Sequence, residues 1–439
     1  MVDMGKFGKA NLRALFLKLH KLKWTRAIFS FGSMHFMRLA LPLLAFPWLG
    51  RVLGAEAFGL LMYMCLFPHL SALCVEWGFP LGAARSAAAL RDKPGELGDL
   101  LRSVSLAKGL LTILCLFFFF LLSPFIPHAS NYPGAYLLAL CAGFARAASP
   151  FWFYQGTNRA LLQLVCWDIG SSLAILICTL LFIHEPAQWP LYLLFYVAFK
   201  GIAGLWLTLN LLKKHRGKWQ AAEAWRLVRE SKSLFTGLVF ADLYHYVTQI
   251  ICGFFLDAAA MGALVALSKI IRALSSLALP FTQAIFPEIC LLGKTAPAKS
   301  RKILRISLSG TFAAMLAACA FAWLTAPWLL RLALGQAFVH NADILRILLL
   351  SSPLAALNMV LAHQTLVAYG HDKAQAFASG LMAILSLPAA WLLSDKGGLY
   401  GAALVPLCAE SFLLLALAAT IFYLCPQALF NVNNPEKRP

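Results

Sequence analysis

A chain of 439 residues that is 61% hydrophobic and only 13% charged carries more apolar surface than a soluble domain of its size could hide. Its net charge of +19 is spread over short segments between apolar runs. No compact basic domain exists, so a nucleic-acid interface is excluded and insertion into a membrane is the reading that remains.

About twenty apolar residues cross a hydrocarbon core about 30 Å thick, and each span has to satisfy its own backbone polar groups. On that rule the chain is predicted to be an all-α polytopic membrane protein of about twelve spans in two six-helix bundles. Residues 1–26 come first. There Leu12, Leu15, Leu19 and Leu22 recur at helical spacing opposite Lys9, Arg13, Lys18 and Lys21, the pattern of a basic amphipathic helix on the membrane surface. The N-terminal bundle, 27–212, holds spans at 27–49, 59–82, 104–125, 133–154, 161–183 and 191–212. A linker at 213–232 sets Trp219, Trp225 and Val228 among seven basic residues, which suits either a second surface helix or a solvated charged linker. The C-terminal bundle, 233–425, holds spans at 233–256, 260–286, 303–326, 343–369, 375–394 and 399–424, followed by a tail at 426–439.

Basic residues sort by side. Segments on the side of the N-terminus hold 26 Lys and Arg, whereas the opposite side holds only Arg51, Arg331 and Lys396. Both termini are therefore expected in the cytoplasm of a bacterial inner membrane protein. The two halves also echo one another. Leu53-Gly54-Ala55-Glu56-Ala57-Phe58-Gly59 aligns with Leu256-Asp257-Ala258-Ala259-Ala260-Met261-Gly262, and Gly156-Thr157-Asn158-Arg159-Ala160 with Gly370-His371-Asp372-Lys373-Ala374. Six spans per half give both bundles one orientation about an axis along the membrane normal, enclosing a cleft that opens alternately to either side.

Most of the eleven cysteines fall inside spans as small apolar residues, and no Cys/His spacing suggests a metal. Walker, dinucleotide, HExxH and GxSxG patterns are absent, so no cofactor, no ATP hydrolysis and no enzymatic activity are expected of this chain.

Charges within the spans are the chemical signal. Arg38, Arg146, Lys200, Lys269, Arg272 and Arg346, with Glu76, Asp168, Asp242 and Glu410, lie in predicted spans or near their ends. A charge at the bilayer centre costs roughly 2.5 to 3.5 kcal/mol on insertion scales, so these groups face one another or a wet interior. Lys269, Arg272, Ser276 and Gln283 form one stripe; Asp242, His245 and Gln249 form another; His35 neighbours Arg38, and His69 lies seven residues from Glu76. For Arg146 and Arg346, near span ends, pairing or snorkelling is an even alternative to a cavity role. A cleft with more cations than acids suits an anion, phosphate above all, because Arg matches its geometry and Lys supplies a compact charge. The acids would pair with these bases or carry a coupling ion, with Asp242 beside His245 the first candidate for a titrating pair.

Four motifs carry a resemblance: Arg51-Val52-Leu53-Gly54-Ala55-Glu56-Ala57-Phe58-Gly59; Glu76-Trp77-Gly78-Phe79 with Arg85; Phe151-Trp152-Phe153-Tyr154-Gln155-Gly156; and Phe286-Pro287-Glu288. Over residues 27–425 the chain resembles the O-antigen and polysaccharide repeat-unit flippases of the multidrug/oligosaccharidyl-lipid/polysaccharide exporter superfamily, although Glu288 stands where that family usually has a base. The resemblance implies a substrate of undecaprenyl diphosphate bearing an oligosaccharide, moved from the cytoplasmic to the periplasmic leaflet. It also implies contact with membrane lipids, coupling to a proton or sodium ion, and a place beside a polysaccharide polymerase. Rival readings are a drug/cation antiporter of the same superfamily, a lipid-linked peptidoglycan precursor flippase, and a membrane glycan polymerase or ligase.

Overall fold

In the computed structural model the described residues are 23–157, 161–276 and 278–428; for residues 23–40 and scattered positions elsewhere the backbone alone is described. The basic segment at 1–22, residues Asn158, Arg159 and Ala160 of one sequence echo, and the tail after 428 lie outside this set. Among the described residues the structure is helical, without strands. Among the described residues ten stretches are long and apolar enough to cross a membrane.

Two of these stretches, Leu44–Ala89 and Asp372–Leu424, run to 46 and 53 residues. Straight helices of that length would span about 70 to 80 Å, over twice the hydrocarbon slab. Both turn back instead. Within α1 (Lys23–Met64), Gly54 has φ 71°, and the rings of Phe46 and Phe58, twelve residues apart, lie with centroids only 6.0 Å from each other. Within α18 (Asp372–Leu424), Gly398 has φ 52°, and Gly401 packs so closely on Leu393 that a Cβ would sit 1.8 Å from its carbonyl oxygen. Glycine takes these backbone angles without the steric cost that any other residue meets. Each stretch thus reverses direction at its glycine.

The remaining elements, in order, are α2 (Phe67–Glu76), α3 (Phe79–Ala89), α4 (Pro94–Leu122), α5 (Pro133–Ala147), α6 (Phe151–Thr157), α7 (Leu161–Phe182), α8 (Pro190–Lys214) and α9 (Ala221–Glu230). After them come α10 (Lys232–Asp242), α11 (Thr248–Cys252), α12 (Ala258–Ser276), α13 (Leu279–Thr295), α14 (Pro297–Leu324), α15 (Ala326–Ala333), α16 (Ala342–Leu349) and α17 (Ser351–Met359). Wider π-turns at Leu243–Val247 and Val360–Val367 join α10 to α11 and continue α17.

Helix α4 shows how such elements pack. Leu97, Leu101, Val104, Ala107, Leu111 and Cys115 recur every three or four residues and are buried. Ile113, Phe117 and Phe120 point outward, the last 76% exposed. In water that surface would be a liability; facing lipid tails it costs nothing. One apolar cluster joins the first half (Phe79, Val104, Trp152, Leu207) to Ala224 and Leu227 of the linker, and another is centred in the second half (Ile289, Val360, Leu366, Leu417). The largest joins the halves through Phe46, Phe58, Tyr63, Leu264, Val265 and Phe338.

The halves meet at both ends of the bundle. At one end the second limb of α1 lies against α12 with almost no side chain between: a Cβ on Gly59 would sit 1.8 Å from the Ala258 carbonyl oxygen, and one on Gly262 would sit 2.2 Å from Gly59 Cα. The segments that echo each other in sequence are thus in contact, as equivalent segments beside a pseudo-twofold axis would be. At the other end, α2 stops at Trp77, which takes a left-handed conformation with φ 44°. Its indole donates to the Val228 carbonyl at 2.9 Å and stacks on Phe235 with centroids 3.9 Å apart.

The linker between the halves contains helix α9, with Ala224 and Leu227 buried and Trp225 63% exposed. Arg102 of α4 donates to the carbonyls of Leu212 and His215 and faces the Trp219 ring, while Asp99 accepts from the Lys218 amide. The segment thus holds a helix docked on the protein itself, with Ala224 and Leu227 set into an apolar cluster with Val104 and Leu207.

Candidate functional site

The polar side chains converge on two adjoining cavities. The larger encloses about 530 Å³ and is built from α1, α2, α5, α7 and α8 of the first half, with Tyr246 of the second half on its wall. That volume falls within the range of small-molecule sites. His69, Glu76, Arg146, Asp168 and Lys200 line it together with Ser172, Tyr192 and Tyr196.

Lys200 and Asp168 form a buried pair. Nζ is 3.0 Å from Asp168 Oδ1, 3.0 Å from its backbone carbonyl and 2.7 Å from Ser172 Oγ, with the two side chains 12% and 15% exposed. A helical carbonyl and a hydroxyl one turn apart give the ammonium donors geometric partners as well as a counter-charge.

Arg146 lies at the end of α5 and donates from Nη1 to His69 Nδ1 at 3.0 Å. His69 Nε2 faces both carboxylate oxygens of Asp242, at 3.1 and 3.2 Å. The imidazole stacks on Tyr246 with centroids 4.0 Å apart and planes 13° off parallel, and the Arg272 guanidinium lies 4.7 Å from the Tyr246 centroid. Arg146 and His69 belong to the first half, whereas Asp242, Tyr246 and Arg272 belong to the second. One imidazole therefore joins the two halves.

The smaller cavity, about 100 Å³, lies in the second half and is lined by Tyr244, His245, Gln249, Arg272 and Glu410 among others. Glu410 is 7% exposed; it accepts from Tyr244 Oη at 3.1 Å and Asn358 Nδ2 at 2.8 Å.

The sequence pairing of Asp242 with His245 requires correction. The chain through Leu243–Val247 is a π-turn, whose i→i+5 bonding adds about one residue per turn. A three-residue spacing then no longer shares a face. Asp242 shares its face with Tyr246, and both meet His69, while His245 turns to the smaller cavity against Tyr244.

Arg346 also departs from the cavity role that was open for it. It donates to Asp343 at 2.8 Å within α16 and to the Trp323 carbonyl, and it lines neither cavity. A local exposed pair of this kind contributes little. Arg346→Ala is expected to move thermal stability by less than about 1 kcal/mol, as a melting curve in detergent would register.

Lys269 packs its ammonium 5.6 Å from the Phe46 centroid and 3.9 Å from Met62 Sδ, on the contact between α12 and α1 rather than on either cavity wall. The side chains of Arg38, His35 and Gln283 lie outside the described residues.

Sequence reasoning passed over Lys108, whose Nζ donates to the carbonyls of Ala147 and Ser149 at the end of α5. A cation on unpaired carbonyls at a helix C-terminus is a capping interaction. The signal was present, a Lys within an otherwise apolar span, but its partners come from a different helix. Tyr246 and Asn358 were likewise invisible, being ordinary residues until the fold sets them beside charges. Among the described residues, no group of three His, Cys, Asp or Glu could hold a metal ion.

This architecture has known counterparts. A structure titled "Lipid II flippase MurJ, inward closed conformation" superposes with a TM-score of 0.68 at 16% identity, over 89% of this chain and 87% of that one. A structure titled as an inward-facing multidrug resistance MATE family transporter of the MOP superfamily gives 0.65 at 14% identity, over 89% and 94%. The fold is therefore of the MOP/MATE type. In sequence, a protein of Escherichia coli (strain K12) named "Putative O-antigen transporter" is 24% identical, covering 87% of this chain and 93% of its own length. One of the same name from Shigella dysenteriae is 21% identical, over 87% and 96%. A family model described as "Polysaccharide biosynthesis protein" matches residues 24–290, more than half of the sequence, and the chain belongs to that family.

Proposed function

We propose that this multi-pass membrane protein is a flippase for undecaprenyl-diphosphate-linked oligosaccharide repeat units, O-antigen or a related polysaccharide. It moves them from the cytoplasmic to the periplasmic leaflet by alternating access of two six-helix bundles, 27–212 and 233–425. The reversals at Gly54 and Gly398 within two of the ten apolar stretches support a reading of twelve crossings. The excess of Lys and Arg on the linker side puts that side, and both termini, in the cytoplasm of a bacterial inner membrane.

The observation that carries this reading is the cavity of about 530 Å³ that gathers Arg146, His69, Glu76 and the Lys200–Asp168 pair in the interior of an apolar bundle, with Tyr246 of the opposite half on its wall. A diphosphate needs cations out of bulk water, and an attached glycan needs hydroxyl and aromatic partners, which Ser172, Tyr192 and Tyr196 supply. The polyprenyl tail needs neither and stays in lipid. Outward movement of an anion from a negative interior is favoured by about 2.3 kcal/mol per charge per 100 mV. The acids Glu76, Asp242 and Glu410 are available for coupling to a proton or sodium ion, and the product leaflet is where a polysaccharide polymerase would take delivery.

In a strain lacking this protein, Arg146→Ala is expected to reach the membrane at the wild-type level and restore little surface glycan, with Arg146→Lys intermediate. Immunoblotting for the protein and electrophoresis of the glycan are the two measurements. Full restoration by Arg146→Ala would remove the cation cavity from the mechanism.

A further inference from the structure

The hydrogen bonding around His69 fixes its tautomer from both sides. A guanidinium has five N–H donors and no acceptor, so the 3.0 Å contact from Arg146 Nη1 requires Nδ1 of His69 to present a lone pair. The ring proton then resides on Nε2, where it points at the Asp242 carboxylate, 3.1 Å from one oxygen and 3.2 Å from the other. Nδ1 is thus the position at which a further proton would add. Once it carries one, that nitrogen is a donor facing a donor, and imidazolium faces guanidinium at 3.0 Å. The contact cannot survive.

Of the two partners, Arg146 is the one that moves. The imidazole is held by its stack on Tyr246 and by Asp242, which binds more tightly to an imidazolium than to a neutral ring. Arg146 has a long flexible stem and already lines the larger cavity with Ser149 and Lys200. We propose that His69 is a positioning residue for the diphosphate: with Nδ1 free it holds Arg146, and when a proton from cavity water forms an N–H bond there, it releases the guanidinium to the entering anion.

The surrounding charges give the sign of the coupling. Facing this site are Arg146 from α5, Asp242 and His245 from the chain between α10 and α11, Arg272 from α12, Glu76 at the end of His69's own helix, and Lys108 of α4 within electrostatic range of Glu76. Among the described residues Arg146, Arg272 and Lys108 stand against Asp242, Glu76 and, across the smaller cavity from Arg272, Glu410, so an added proton on His69 brings one positive charge to the site. A phosphate in the cavity compensates it. Anion binding and protonation of His69 therefore favour each other, and by linkage each raises the affinity for the other by the same factor. This rests on the cavity being the diphosphate site.

The experiment is calorimetric titration of the full-length protein in nanodiscs with inorganic pyrophosphate, between pH 6 and 8, in buffers of unequal ionisation enthalpy. Wild-type protein is expected to take up protons on binding, with affinity rising by up to about tenfold for each pH unit of acidification. Glutamine at the same place can offer Oε1 to Arg146 and Nε2 to Asp242 without titrating. His69→Gln is accordingly expected to bind with the weak affinity of the wild type at high pH, and to lose the proton uptake and pH dependence that exceed those of pyrophosphate's own ionisation; His69→Asn serves if the glutamine variant is not monodisperse. Binding by wild type without proton uptake, or equal uptake by the variants, would overturn this inference alone. A wild type that does not bind pyrophosphate would overturn the diphosphate reading of the cavity and this inference with it.

Discussion

Gly262→Leu is expected to abolish surface glycan in cells while leaving the protein in the membrane. The reason is the backbone contact between the halves: a Cβ at residue 262 meets Gly59 Cα at 2.2 Å, and a backbone atom cannot swing aside as the tip of a flexible side chain could. The second limb of α1 and helix α12 must then part, opening the end of the bundle that this structure shows closed. Overpacking of this kind costs about 1 to 3 kcal/mol. Because the charge falls on the closed state alone, a penalty of about 3 kcal/mol shifts the balance between states by about 150-fold. A cysteine placed at Ser172 in the larger cavity should become accessible to a membrane-impermeant thiol reagent from that side. Wild-type glycan with Gly262→Leu would mean that this contact does not have to close during transport.

Lys200→Ala carries the second large effect, on stability. It removes the ammonium that meets Asp168 and Ser172, taking an ion-pair contact from a carboxylate whose side chain is 15% exposed. Removing one partner of a fully buried pair costs about 3 to 5 kcal/mol, so a loss below that is expected for this partly buried one, and removing both is milder still, since desolvation of two ions is then avoided. The double variant Lys200→Ala with Asp168→Ala should accordingly recover most of the thermal stability lost by the single one. Melting temperatures in detergent for the two single variants and the double one close the cycle. Additive losses would show that the pair is not the unit that the geometry indicates.

The two variants act through different physics. One adds volume where two backbones touch, and the other removes one member of an ion pair. Both positions were legible in the sequence only in part. Lys200 stood out because a cation in an apolar span demands a partner, but whether that partner was another span or a substrate depended on which helix lies beside α8. Gly262 appeared as part of an echo of Gly59, and nothing in either segment said that the two would meet.

What the amino-acid sequence determined by itself was everything that depends on transfer from water to lipid: an all-helical membrane protein, the placing of most apolar stretches, and the list of intramembrane charges that cannot face lipid. Those properties are sums over local residues, and they survive any rearrangement of helices. What only the tertiary structure decided was partnership. A π-turn too local for periodicity to show moved Asp242 from His245 to His69 and Tyr246. Arg346 found Asp343 on its own helix, and Lys108 found the carbonyls at the end of α5. Hydrogen bonds and ion pairs act over about 3 Å, and residues separated by 77 or 173 positions, as in the chain from Arg146 through His69 to Asp242, reach that distance only after the helices have packed.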